Sequence, residues 1–261
     1  MSVAWVEPDW PAPSGVRALC TLRGGGASAA PYDSLNLGDY VADAAAAVSE
    51  NRRRLAAAAG LPAEPAWLRQ VHGASVADLD GADFEAAAAG NALMTADAAF
   101  TRRRGRVCAI LTADCLPVLL AADSGDWVAA AHAGWRGLAA GVIEATVSAL
   151  SALPPNRLLA WLGPAIGPKH FEVGAEVRDA LLGGDAAAGA GRGAEAAFTP
   201  NARGRFMADL AALARRRLAV AGVDRIYGGG ECTFAEATRF FSHRRDGVTG
   251  RQAALIWLER R

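Results

Sequence analysis

Two of the four histidines in this 261-residue chain stand where apolar runs stop. His72 follows Trp67, Leu68 and Val71 in Gln70-Val71-His72-Gly73, and His132 closes the run before Ala133-Gly134-Trp135-Arg136-Gly137. Cys115 lies between two apolar runs, in Thr112-Ala113-Asp114-Cys115-Leu116-Pro117. Two imidazoles and a thiolate are donors that zinc favours, and catalytic zinc sites use three protein ligands with the fourth position left for water. The separations are 43 residues from His72 to Cys115 and 17 from Cys115 to His132. Those are too long for a zinc-finger knuckle and suit ligands gathered by a sheet. Copper accepts the same donors. Cys115 also reads as a nucleophile activated by His132 or His72, or as a small buried apolar residue. Metal ligand and nucleophile both need a thiolate near imidazole, so the residue types leave these alternatives open. His170 and His243, flanked by basic residues, are expected at the surface.

A second constellation pairs arginine with glycine. Leu22-Arg23-Gly24-Gly25-Gly26 sets a cation beside a loop whose backbone amides can approach an anion. Arg136 is expected near the positive N-terminal end of a helix opened by Gly134. Residues 244–251, Arg-Arg-Asp-Gly-Val-Thr-Gly-Arg, read as an arginine-rich turn. Forked guanidiniums recognise phosphate well, although Asp246-Gly247 is also ordinary turn chemistry. No Walker loop and no strand-linked GxGxxG occurs.

These residues need positioning elements. Val16–Leu22, Val107–Leu111, Val118–Ala121, Trp127–Ala131, Leu158–Leu162 and Ala253–Leu258 read as strands, and several are apolar on both faces, which predicts sheets covered on both sides. Ala44–Ala59 reads as a helix closed by Gly60 and Pro62. Leu138–Leu150, with Pro154-Pro155 beyond it, and Phe206–Val220 also read as helices. Leu182–Ala197, poor in large apolar residues, is expected to be a mobile surface loop inside one domain spanning residues 1–261.

Composition narrows the class. With 52% hydrophobic and 21% charged residues, the chain is of the soluble globular kind. The 27 basic and 27 acidic side chains cancel, which argues against a general nucleic-acid partner. No apolar stretch approaches the ~18 residues of a membrane span. The scattered Cys20, Cys108, Cys115 and Cys232 suggest a reducing compartment, and the cytoplasm is expected.

Together the motifs resemble the YfiH family, also called laccase-domain or polyphenol-oxidase-like proteins and described as zinc-dependent purine nucleoside phosphorylases. The resemblance runs from about Arg17 to Leu258. It rests on Thr21-Leu22-Arg23-Gly24-Gly25, Ser34-Leu35-Asn36-Leu37-Gly38, the motifs around His72, Cys115 and His132, Gly163-Pro164-Ala165-Ile166-Gly167-Pro168, Phe171-Glu172-Val173-Gly174 and the final Arg244-Arg245-Asp246 to Trp257. It implies an α+β fold, a four-layer α/β/β/α sandwich with mixed sheets, and a metal on His72, Cys115 and His132. It also implies phosphorolysis of adenosine, inosine or guanosine to free base and ribose 1-phosphate, with adenosine deaminase and methylthioadenosine phosphorylase activity. In that setting Asp114 is a candidate proton shuttle, while Arg23 and Arg136 would neutralise phosphate and Asn36 or Gln70 would meet ribose or base. The expected partners are purine nucleosides and phosphate, with no nucleic acid and no membrane, in a monomer or weak homodimer. The alternatives are a copper (Cu2+) polyphenol oxidase and a cysteine hydrolase of cell-wall precursors. In one departure, Asn91 stands where the family usually carries Asp.

Overall fold

Alternation along the strands decides the architecture. In the computed structural model, which describes residues 2–90, 92–150, 157–189 and 193–260, successive side chains of Val107–Thr112 and Gln252–Leu258 face opposite cores. These strands join Val16–Thr21 and Trp5–Val6 in an antiparallel four-stranded sheet. A mixed six-stranded sheet runs Arg225–Gly228, Leu158–Leu162, Leu116–Ala122, Val128–Ala133, Ala98–Thr101, Val76–Asp78. One face of each sheet meets the other: Cys108, Ile110, Ala254 and Ile256 pack on Leu119, Ala121, Val128 and Ala130.

Helices cover the two outer faces. Val107, Ala109, Leu255 and Trp257 pack with Leu35, Leu37 and Leu55, the last from the Ala45–Ala59 helix. Gly60, at φ 58°, closes that helix by donating its N–H to the Ala56 carbonyl. On the other side Leu116, Val118, Leu120 and Ala160 meet Leu138, Ile143, Leu181 and Leu213. The order is therefore helix, sheet, sheet, helices: an α+β four-layer sandwich.

Three local expectations are corrected. The helix predicted over Leu138–Leu150 is two, Trp135–Ala140 and Val142–Ala149, because Gly141 at φ 89° turns the chain between them. Phe206–Val220 is not one helix: Phe206–Ala208 is a strand paired with Glu172–Val173 and Phe198–Pro200. The helix is Leu210–Val220, started by Asp209, whose side chain accepts the Ala212 N–H at 2.9 Å. Leu182–Ala197 is not a loop throughout. Residues 182–187 continue the Ala175–Ala187 helix, and Ala194–Ala197 form a 3-10 turn. One of its glycines serves close packing: a Cβ on Gly184 would fall 2.4 Å from the Ala139 carbonyl oxygen. The buried Asp185 binds Arg216 at 2.8 Å and faces the buried Arg217, which also reaches Glu144 at 3.0 Å. Asn91, Pro154 and Pro155 lie outside the described residues. No helix among the described residues is long and apolar enough to cross a membrane.

Candidate metal centre and its cavity

The chain crosses from one sheet to the other through Ala113, Asp114 and Cys115, between the strands Val107–Thr112 and Leu116–Ala122. Asp114 takes φ 91°, so Cys115 sits at the seam between sheets. His132 lies within the neighbouring strand, opposite Pro117, rather than beyond its end. The apolar strand expected before His72 is reduced to Leu68–Arg69. It stops because Gln70 turns its amide onto Leu111, donating to the carbonyl at 2.9 Å and accepting from the N–H at 2.8 Å. That side chain takes the place of a strand neighbour. His72 follows at φ 61°, turned back toward the seam.

The result is convergence. Donor atoms of His72, Cys115 and His132 lie within 4.8 Å of one another, the only such group among the described residues. The two imidazoles meet edge-on with centroids 4.8 Å apart. Gly134 makes room, since a Cβ there would lie 2.7 Å from the Cys115 sulfur.

Asp97, which carries no motif, organises the group. It is fully buried, and its Oδ1 accepts from His132 Nδ1 at 2.9 Å and from the His72 N–H at 2.8 Å. Its Oδ2 accepts the N–H groups of Val71 and Gly73 at 3.1 and 2.7 Å. One carboxylate thus fixes the turn bearing His72 and the tautomer of His132, leaving His132 Nε2 for a metal. Metal-binding histidines characteristically have this carboxylate behind them. With donors of two nitrogens and a sulfur and this support, the residues fit a bound divalent metal ion. The only sequence signal for Asp97 is an acid placed directly before the apolar run Ala98–Phe100.

The electrostatics match a thiolate beside an imidazolium. Burial pushes the Cys115 thiol up, but the His132 charge and hydrogen bonds from His132 and His72 outweigh it, to about 6. Burial lowers His132, and the Cys115 thiolate and Asp97 raise it to about 9. Cys20 and Cys108 are pushed up, chiefly by burial and secondly by the nearby carboxylates Glu231 and Asp80. In metal-stripped protein, iodoacetamide is therefore expected to label Cys115 with a midpoint near pH 6, labelling falling below it, while Cys20 and Cys108 stay unmodified. Mass spectrometry of the labelled peptides checks this; a midpoint in the ordinary thiol range contradicts it.

The cavity over the triad has two lobes sharing His72, Ala113, Cys115, Arg136 and His243. The larger, about 290 Å³, adds Tyr40, Gln70, Thr112 and Arg251. The smaller, about 180 Å³, adds Asp114, Trp135, Ile166, Phe171 and Arg244. Arg136, Arg244 and Arg251 form no ion pair among the described residues, and each lies over a ring: Trp135 at 4.3 Å, Phe171 at 5.2 Å and Tyr40 at 5.7 Å. His243 is exposed, as expected, and donates Nδ1–H to the Gly247 carbonyl at 2.5 Å. His170 is half-buried, stacked on Phe234 at 4.5 Å.

The remaining sequence candidates divide. Arg136 and Gln70 line the cavity, although the Gln70 amide is occupied by Leu111. Asp114 lines the smaller lobe with both oxygens engaged, Oδ1 by the Thr233 hydroxyl at 2.7 Å and Oδ2 by the Arg244 N–H at 2.6 Å. Arg23 and Asn36 line neither lobe. Arg23 binds the Asp33 and Ala237 carbonyls at 3.0 Å each. Asn36 is fully buried and accepts the Arg251 N–H at 2.9 Å, setting the backbone of a cavity residue. The expected arginine-rich turn is a short helix, His243–Asp246, capped by Ser242. Trp135, Ile166 and Phe171 lie in motifs noted in the sequence but were given no role there, and Tyr40 lies in none of them.

A helix–sheet–sheet–helix sandwich with a His–Cys–His triad in a cationic cavity defines a class of α+β proteins with a candidate metal centre. Within it, the chain belongs to the YfiH family: residues 17–259 match the family described as multi-copper polyphenol oxidoreductase laccase. A purine nucleoside phosphorylase of Pseudomonas aeruginosa is 53% identical over 257 residues, covering 98% of this chain and 99% of its own. YfiH of Escherichia coli, also named a purine nucleoside phosphorylase, is 51% identical over 253 residues, covering 97% and 98%. Among solved structures, a Neisseria meningitidis protein is 45% identical with a TM-score of 0.87, covering 98% of this chain and 99% of that one. YlmD from Geobacillus stearothermophilus is 33% identical with a TM-score of 0.88, covering 98% and 96%.

Proposed function

We propose that this protein is a zinc-dependent purine nucleoside phosphorylase, converting adenosine, inosine or guanosine and phosphate to free base and ribose 1-phosphate. One observation carries the reading: the triad opens into a cavity bearing three guanidiniums that form no ion pair among the described residues, against the single carboxylate of Asp114 in its lining. Uncompensated positive charge in a cleft favours an oxyanion. The names of the relatives from Pseudomonas aeruginosa and Escherichia coli agree with it.

His72, Cys115 and His132 would hold the ion, which supplies Lewis acidity toward an oxygen ligand. Arg136 and Arg251 receive the phosphate charge. A phosphate oxygen bonds to C1′ of the ribose as the bond from C1′ to the purine nitrogen breaks, and the electron pair leaves with the base. His243 donates its Nδ1–H to Gly247, which leaves Nε2 as an acceptor: it takes the proton shed by phosphate on forming the ester and passes it to the departing base. Asp114, its oxygens engaged, holds the His243–Asp246 helix in place through the Arg244 N–H. The same cavity would admit adenosine deamination and methylthioadenosine cleavage. A single three-donor group suits one ion better than a multi-copper centre.

The test is chromatography of inosine and phosphate incubated with protein of measured metal content. Phosphate-dependent release of hypoxanthine and ribose 1-phosphate supports the reading; turnover independent of phosphate overturns it. Ammonia release from adenosine tests the deaminase separately. Arg136→Gln is expected to raise the KM for phosphate by about tenfold or more, since a hydrogen bond to a charged group contributes about 1.5–3 kcal/mol. An unchanged KM removes Arg136 from that role.

A second reading has its own observation. Cys115, His132 and Asp97 stand in the order thiol, imidazole, carboxylate that activates a nucleophile in cysteine hydrolases. Hydrolase activity that survives chelation, and is abolished by iodoacetamide, would favour it over the metal enzyme.

A further inference from the structure

The two lobes differ in kind, and the difference sorts the parts of a nucleoside and its phosphate. The smaller lobe is walled by Trp135, Ile166 and Phe171, with Arg244 lying over the Phe171 ring. Such a slot accepts a flat heteroaromatic ring through stacking and apolar contact. The larger lobe is the more polar of the two. Arg251 anchors one guanidinium nitrogen on the Thr249 and Gly250 carbonyls, at 2.9 and 3.0 Å, and has no acidic partner among the described residues. Tyr40 adds a phenol, and Thr112 adds a buried hydroxyl that has no hydrogen-bond partner among the described residues. A pentose and an oxyanion can satisfy such groups, whereas an apolar ring cannot. Both lobes end on His72, Cys115, Arg136 and His243.

We infer that the lobe of Trp135, Ile166 and Phe171 binds the purine base, that the lobe of Tyr40, Thr112 and Arg251 binds ribose and phosphate, and that the bond being broken lies across their shared wall. This rests on the phosphorylase reading and adds to it the residues that set base selectivity. Trp135, Ile166 and Phe171 offer the base no free side-chain acceptor or charge. The base site is therefore tolerant among purines, and the rim, Asp114 and Arg244, is where discrimination can arise.

The experiment measures binding of hypoxanthine and of inorganic phosphate separately, by calorimetry on metal-loaded protein. Trp135→Leu is expected to weaken hypoxanthine about tenfold, the size of one lost base–aromatic stack, with phosphate changed by less than about twofold. Arg251→Gln is expected to do the reverse. Phe171 is buried in the core, so Phe171→Leu replaces the more disruptive alanine; Tyr40→Phe, at an exposed residue, supports the Arg251 arm without threatening the fold. Swapped dependences, or variants that weaken both probes equally, overturn the partition while leaving the phosphorylase reading intact if nucleoside turnover persists. Failure of the unaltered protein to bind either probe overturns both.

Discussion

Asp97→Ala is expected to lower metal affinity by roughly 10- to 100-fold, the usual consequence of deleting a carboxylate behind a metal-binding histidine. It is also expected to destabilise the metal-free protein by about 3–5 kcal/mol, because the variant strands donors inside the protein. Those donors are the His132 Nδ1–H and the N–H groups of Val71, His72 and Gly73. Competition with a metal indicator measures the first effect and thermal unfolding of apoprotein the second, where a fall in Tm of roughly 10 °C is expected. The sign with pH follows from the carboxyl itself. Burial pushes it up, but the hydrogen bonds from His132 and Gly73 hold it below the ordinary carboxylate range. Its contribution is present above about pH 4 and is lost as acid carries it through that lowered value, so the two proteins should converge in stability at low pH. An apoprotein Tm insensitive to Asp97→Ala would mean that water replaces the carboxylate and that the turn at His72 holds itself.

Gly134→Ala should separate metal binding from folding. At φ −66° and ψ 166° the backbone tolerates alanine, so no backbone strain is introduced. The added Cβ, however, would lie 2.7 Å from the Cys115 sulfur, where ordinary contact begins near 3.4 Å. The sulfur must therefore retreat by about 0.7 Å, well beyond the ±0.2 Å within which metal–ligand distances are held. A stability change of about 1–3 kcal/mol is expected from overpacking, together with loss of stoichiometric metal and of any metal-dependent activity. Elemental analysis after gel filtration, with circular dichroism on the same sample, reads both. Full metal occupancy in Gly134→Ala would show that Cys115 does not need its present position to serve.

Much of the site was legible because metal donors are few. With four histidines and four cysteines, the residues at the ends of apolar runs stood out, and the α+β sandwich followed from strands apolar on both faces together with the family motifs. What was misread had a local cause. Phe206–Ala208 carries apolar residues that suit a strand or a helix, and only Asp209 as a cap marks the division. The Gly-Ala stretch after Leu182 looks like a loop until Ala139 packs against Gly184.

The chain by itself determined which atoms are available: nitrogen and sulfur donors for one ion, an excess of arginine over lysine, and the continuous apolar runs that make strands covered on both faces. Tertiary structure alone decided which of the described arginines are left without acidic partners, that Asp97 stands behind His132, and that Arg23 and Asn36 line neither lobe of the cavity. The reason is range. Asn36 meets Arg251 across 215 positions and Arg23 meets Ala237 across 214, so their partners lie far beyond any local pattern. A side chain's role depends on which hydrogen-bonding groups remain unmet once the sheets have closed, and that is settled only when distant segments are brought together.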